Sequence, residues 1–136
     1  DKPIVDFEVP TAGNFIGLAG ISRFKSFSGG LAEAMRRAEP ELPVVVADFL
    51  PIAPPDFLRS DHAPFLSAGI PAVMLTDTAN FRNPHYHTPG DTRETLDAKR
   101  WAKVTRAMIA GVIELADAEP PVKEGAKPDA GPNGAR

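Results

Sequence analysis

Apolar residues in this chain gather in short runs broken by glycine, proline and charge, and the runs differ in period. Asn14 to Gly20 (NFIGLAG) is apolar and glycine-punctuated, which predicts a buried strand. Leu31, Met35 and Ala38 then recur at helical spacing, so a helix is expected from a cap at Ser28 through Ala38, stopped by Pro40. Leu42 to Phe49 (LPVVVADF) is a β-branched run of strand length. Pro51, Pro54 and Pro55 mark a loop, and Ala63 to Ala68 fits a short helix closed by Gly69. Pro71 to Thr76 (PAVMLT) predicts another buried strand, and the polar stretch Asn80 to Thr92 a loop. Asp97 caps the longest helix, to about Ala116. Trp101, Val104, Met108, Val112 and Leu115 form its expected core stripe, with Lys99, Arg100, Lys103 and Arg106 mostly off it.

Strands alternating with helices predict an α/β fold: part of a three-layer α/β/α sandwich around a mostly parallel sheet. In such sheets functional loops gather at the carboxyl ends of the strands. Two loops fit that position, 50–62 and 77–92. Three strands leave exposed edges, so further strands are expected outside this chain. Residues 1–13 read as a leading loop. From Glu119 the chain is EPPVKEGAKPDAGPNGAR, a composition expected to be disordered, which sets the folded unit at 1–118.

Composition narrows the partners more than the chemistry. At 136 residues with 43% apolar content, the chain is one domain at most. A net charge of -3 argues against nucleic acid or an anionic membrane as partner. No apolar run is long enough to span a bilayer. The lack of cysteine removes disulfides, thiolate metal sites and thiol nucleophiles. Asp1-Lys2-Pro3-Ile4 has neither an initiator methionine nor a signal-peptide core, as expected of a processed or truncated chain.

His62, His85 and His87 all lie in or beside the two candidate loops, with Asp56, Asp61, Asp77 and Asp91 among them. Imidazole and carboxylate are what zinc prefers when thiolate is absent. The plainer reading of each histidine is a solvated loop residue, and two imidazoles alone do not make a metal site. Ser60-Asp61-His62 has the letters of a catalytic triad, but adjacent residues point apart. Asp61 serves equally well as a helix N-cap. The HExxH, GxxxxGK and GxSxG motifs are absent. From the residues alone, the chain offers a metal or acid–base site on an α/β rim and no more.

The stretch SDHAPFLSAGIPAVMLTDTANFRNPHYHTPGDTRETLD, Ser60 to Asp97, closely resembles the di-zinc aminopeptidase family that also includes the glutaminyl cyclases. The matching features are Ser-Asp-His-x-Pro-Phe, Gly-Ile-Pro-Ala, Asn-Pro-x-Tyr-His-Thr-x-x-Asp-Thr and Leu-Asp, in that order. GNFIGLAG also looks like a family segment, so the resemblance covers about residues 13–116. It implies a zinc-exopeptidase fold of the phosphorylase/hydrolase-like type, peptide substrates, and hydrolysis of N-terminal peptide bonds by a water activated between two zinc ions. By the same resemblance His87 is a zinc ligand, and Tyr86 hydrogen-bonds the tetrahedral intermediate. Asp91 is a turn anchor or supports the ligands, Asp61 and His62 buttress the site, and His85 has no fixed family role. Family members are often exported, which makes a periplasmic or extracellular location an expectation from resemblance alone.

The departures matter as much. The family's His-x-Asp pair, bridging aspartate and Glu-Glu pair find no match here. One histidine cannot hold zinc, so this chain alone is expected to be inactive and to need the N-terminal half of the same domain. Cyclases resemble Asp-Asp-His where Ser60-Asp61-His62 stands, a histidine at Met74 and a tryptophan at Tyr86; all three differences favour a peptidase. A non-catalytic member that kept the fold for binding is the competing expectation.

Overall fold

The computed structural model describes residues 10–49 and 55–117. The expected leading loop, through residue 9, and the tail from residue 119 lie outside the described residues. Strand β1 spans Ile16–Ile21, helix α1 Lys25–Ala38, strand β2 Val44–Phe49, helix α2 His62–Ser67, strand β3 Met74–Thr76 and helix α3 Ala98–Asp117. Element types and order follow the hydrophobic pattern. Their ends differ where tertiary contacts decide.

The sheet runs β2-β1-β3. Strands β1 and β2 are parallel, with Ile16 opposite Val44 and Ile21 opposite Phe49. β3 is antiparallel to β1, with Gly17 opposite Thr76 and Ala19 opposite Met74. The sheet is therefore mixed, which corrects the expectation of a mostly parallel one. A parallel return needs a crossover helix that packs back on the sheet. The α1 connection supplies one; α2, with 6 residues, packs instead on the 3-10 turn Pro55–Arg59 just before it.

Alternation along the strands divides the side chains. Ile16, Leu18, Val44, Val46 and Leu75 join Leu31, Ala32 and Met35 of α1 in the core. Leu18 and Met35 are fully buried, each worth about 1.5–3 kcal/mol of apolar transfer. Helix α3 lies against α1, where Ala107 and Gly111 let the two backbones approach. On the opposite face Gly17, Ala19, Val45, Ala47 and Met74 line an open concavity. The described residues thus form two layers, part of the expected three.

Two local expectations are also corrected. Helix α1 begins at Lys25, ahead of Ser28, so Ser28 is not a cap. Its hydroxyl is buried and donates to the Asp48 carboxylate, 2.8 and 2.9 Å from the two oxygens. In α3, Trp101, Met108 and Val112 are exposed, and the face toward α1 is Val104, Ala107, Gly111 and Leu115. The Asp97 cap stands: its Oδ1 accepts the N–H groups of Lys99 and Arg100 at 3.0 and 3.1 Å. Gly69, at φ 76°, closes α2 as expected.

Candidate functional site

The loop from the end of β3 to α3 is held by its own short polar side chains. Thr76 Oγ1 accepts the N–H of Thr78, and Asp77 Oδ1 accepts that of Ala79, both at 2.9 Å. These bonds hold Thr78 and Ala79 at positive φ, 84° and 43°, a costly conformation for a β-branched residue. Farther on, Asn83 Oδ1 accepts the N–H of His85 at 2.9 Å, and its Nδ2 donates to Asp91 Oδ1 at 3.2 Å. Asp91 thus clasps the start of the segment 83–91 to its end.

Tyr86 and His87 stand on that clasped segment. Adjacent residues in an extended chain point to opposite sides. Here His87 takes a left-handed φ of 56°, and its ring stacks on Tyr86 with centroids 3.9 Å apart and planes 12° from parallel. Tyr86 is half-buried and His87 exposed. Both line the concavity on the open sheet face, about 1370 Å³ in volume. That exceeds a usual small-ligand pocket of about 300–1,000 Å³.

The loop before α2 supplies the facing wall. Asp56, Arg59 and Ser60 line the same concavity. Arg59 pairs with Asp56 at 2.9 Å, and this hydrogen bond, then the charge of Asp56, raise the guanidinium pKa further. The sequence reading missed this pair, because arginine in a polar loop usually reads as solvated. The only available signal was its place directly before Ser60-Asp61-His62.

Asp61 and His62 behave differently from each other. Asp61 is exposed at the N-cap position of α2, and its side chain makes no capping bond. His62 is buried, 7% exposed, with its ring edge-on to Phe57 at 4.4 Å. Neither ring nitrogen has a hydrogen-bond partner among the described residues. Burial lowers its pKa; the nearby Phe57 carbonyl, outside bonding geometry, and the Asp61 charge oppose this. Neither Asp61 nor His62 lines the concavity, so any support they give is indirect. The Ser60-Asp61-His62 run forms no triad: one of its members is buried and another faces solvent. His85 lies in the clasped segment 83–91, its Nδ1 2.7 Å from where a side-chain carbon on Gly90 would stand.

Residues 27–112 match the model of peptidase family M28. The chain belongs to peptidase family M28. An uncharacterized protein of Escherichia coli K12, YfbL, is 46% identical over 56 residues, covering 41% of this chain and 16% of that protein. The structure is similar to the Legionella pneumophila LapA aminopeptidase, with a TM-score of 0.58 and 23% identity. That likeness covers 79% of this chain and 28% of LapA, and at such identity it speaks for the fold. The M28 chain therefore spans well under a third of either relative. The family is generally zinc-dependent, yet among the described residues no three His, Asp or Glu side chains converge to hold a metal. His87 is a single imidazole on the lip, so the described residues do not by themselves fit a zinc ion.

Proposed function

We propose that this M28 chain is one wall of a zinc-dependent aminopeptidase, which hydrolyses N-terminal peptide bonds with two zinc ions. The observation that carries the reading is the Tyr86–His87 pair, stacked and turned into a concavity that faces the open side of the sheet. His87 contributes one ligand through an exposed imidazole. The other ligands and the general base come from outside the described residues, on a companion part of the same domain laid over the concavity. Zinc would supply Lewis acidity toward a peptide carbonyl and its attacking water.

This chain's own groups have two further tasks. The Tyr86 phenol, held by the clasped segment, donates a hydrogen bond where negative charge develops on the carbonyl oxygen. Asp91 and Asn83 fix that segment, so the phenol keeps its position without reorganising. The Asp61 and His62 region acts one step away, by keeping the facing loop in place. The chain by itself is expected to release no amino acid from a peptide.

The test uses a protein that carries this chain together with the rest of an M28 domain. His87→Ala should lower release of the N-terminal residue from a fluorogenic peptide amide by at least about a hundredfold, and reduce bound zinc. Tyr86→Phe should lower turnover while leaving bound zinc unchanged. Full activity and full zinc content in His87→Ala would remove His87 from the site. Zinc-free protein with intact peptide binding would support the non-catalytic member instead.

A further inference from the structure

His62 is a titratable side chain that the proposed chemistry does not use. An aromatic cluster packs against it: Phe57, 4% exposed, lies edge-on to the ring, and Phe57 in turn meets Phe49 edge-on at 5.0 Å. Phe49 ends β2, Phe57 lies in the 3-10 turn Pro55–Arg59, and His62 opens α2. The three rings therefore tie the end of a sheet strand to the wall of the concavity. A neutral imidazole suits this place, because its faces and edge pack as an aromatic ring does. An imidazolium suits it less, since burial disfavours its charge and neither ring nitrogen is hydrogen-bonded among the described residues, an effect that the nearby Phe57 carbonyl offsets only in part.

We infer that His62 is an acid-sensitive latch: neutral, it closes the Phe49–Phe57 cluster and seats residues 55–61 as a wall of the concavity, and protonation releases them. The charged groups around it do not offset the proton. Asp61, on α2 itself, is exposed, and its attraction is weaker than the cost of burial. Asp56 and Arg59 on the 3-10 turn are paired with each other, and Asp48 on β2 is turned to Ser28. Release would carry Asp56, Arg59 and Ser60 away from Tyr86 and His87, so the shape of the concavity becomes a function of pH between neutral and mildly acidic conditions.

The latch does not depend on the peptidase reading, because its readout is local opening and not turnover. The Ala63 N–H bonds to the Ser60 carbonyl at 3.0 Å, across the junction that must open. Its protection against hydrogen exchange, corrected for the intrinsic pH effect, should fall by about tenfold per unit below pH 6.5, until the folded imidazole has titrated. Amides of α1 should hold their protection over the same range. In His62→Phe, which keeps an aromatic ring and cannot be protonated, the Ala63 protection should be flat with pH. Nuclear magnetic resonance of the wild-type ring gives a second reading that needs no variant: His62 should titrate below 6.5, together with the loss of protection. The latch is wrong if His62 titrates at or above 6.5, or if His62→Phe loses protection with acid as the wild type does.

Discussion

At the scale of single residues, the tightest constraint is the meeting of Gly20, Ser28 and Asp48. A side-chain carbon on Gly20 would stand 2.7 Å from Asp48 Oδ1 and 3.6 Å from Ser28 Cβ. Gly20→Ala should therefore push the carboxylate off the buried hydroxyl and cost about 1–3 kcal/mol in denaturant unfolding. Ser28→Ala removes the same bond from the other side. The double variant should cost clearly less than the two single costs added, and strict additivity would show that the groups are not coupled. Local sequence could not reveal this contact. Ser28 sits just ahead of an apolar periodic stretch, which is where a cap belongs, and the partner its hydroxyl bonds inside the first turn of α1 is 20 residues away. The left-handed turn at His87 was equally hidden, since histidine does not announce positive φ as glycine does. Asp97 was legible because a cap satisfies backbone groups two and three residues on. Tyr86 and His87 stand out from the other loop residues only through the long motif around them.

At the scale of elements, the pattern gave existence and type but only part of the inner face of α3: Val104 and Leu115 pack inward, while Trp101, Met108 and Val112 do not. The expected stripe followed the largest apolar residues, whereas helix approach is set by the smallest ones. A carbon added at Gly111 would lie 2.8 Å from Leu31 Cδ1 and 3.2 Å from Met35 Cγ, both buried. That closeness turns the Ala107–Gly111 side toward α1 and leaves Trp101, Met108, Ile109, Val112 and Ile113 outward. Two glycine substitutions should accordingly change stability in opposite directions. Gly29, within α1, has nothing within 4 Å of an added carbon, so Gly29→Ala should stabilise by up to about 1 kcal/mol through helix propensity. Gly111→Ala gains the same propensity but overpacks the seam by about 1–3 kcal/mol, and should come out neutral to destabilising. Thermal unfolding followed by circular dichroism separates them; stabilisation by Gly111→Ala would mean that Leu31 moves aside at little cost. The direction of β3 was also beyond the pattern. An apolar strand reads the same in either direction, and the long connection from β2 permits both.

At the scale of the whole molecule, the titrating groups predict an acid response in two steps. Asp97 has a lowered pKa, first because the Arg100 N–H bonds its carboxylate. Glu41 is lowered by its hydrogen bond to Lys103, and Glu94 by its hydrogen bond to Arg93. A group with a folded pKa below its unfolded one adds stability above the unfolded value, and loses it as pH falls through the folded value. For these carboxylates the loss comes below the usual carboxylate range of about 4. His62 follows the same sign, since burial lowers its pKa too, but its loss starts near 6.5. The steps also differ in screening. The three carboxylates are exposed, so salt weakens their contribution, whereas the His62 term comes from burial and is nearly independent of salt. Urea midpoints measured from pH 8 to 3 should fall once as pH drops below about 6.5, and again below about 4. His62→Phe should abolish only the upper step, and 1 M sodium chloride should reduce only the lower one. An upper step that salt removes, or that survives in His62→Phe, would place the neutral-range proton elsewhere. The mildly acidic sensitivity of the fold would then not begin at the aromatic cluster beside the concavity.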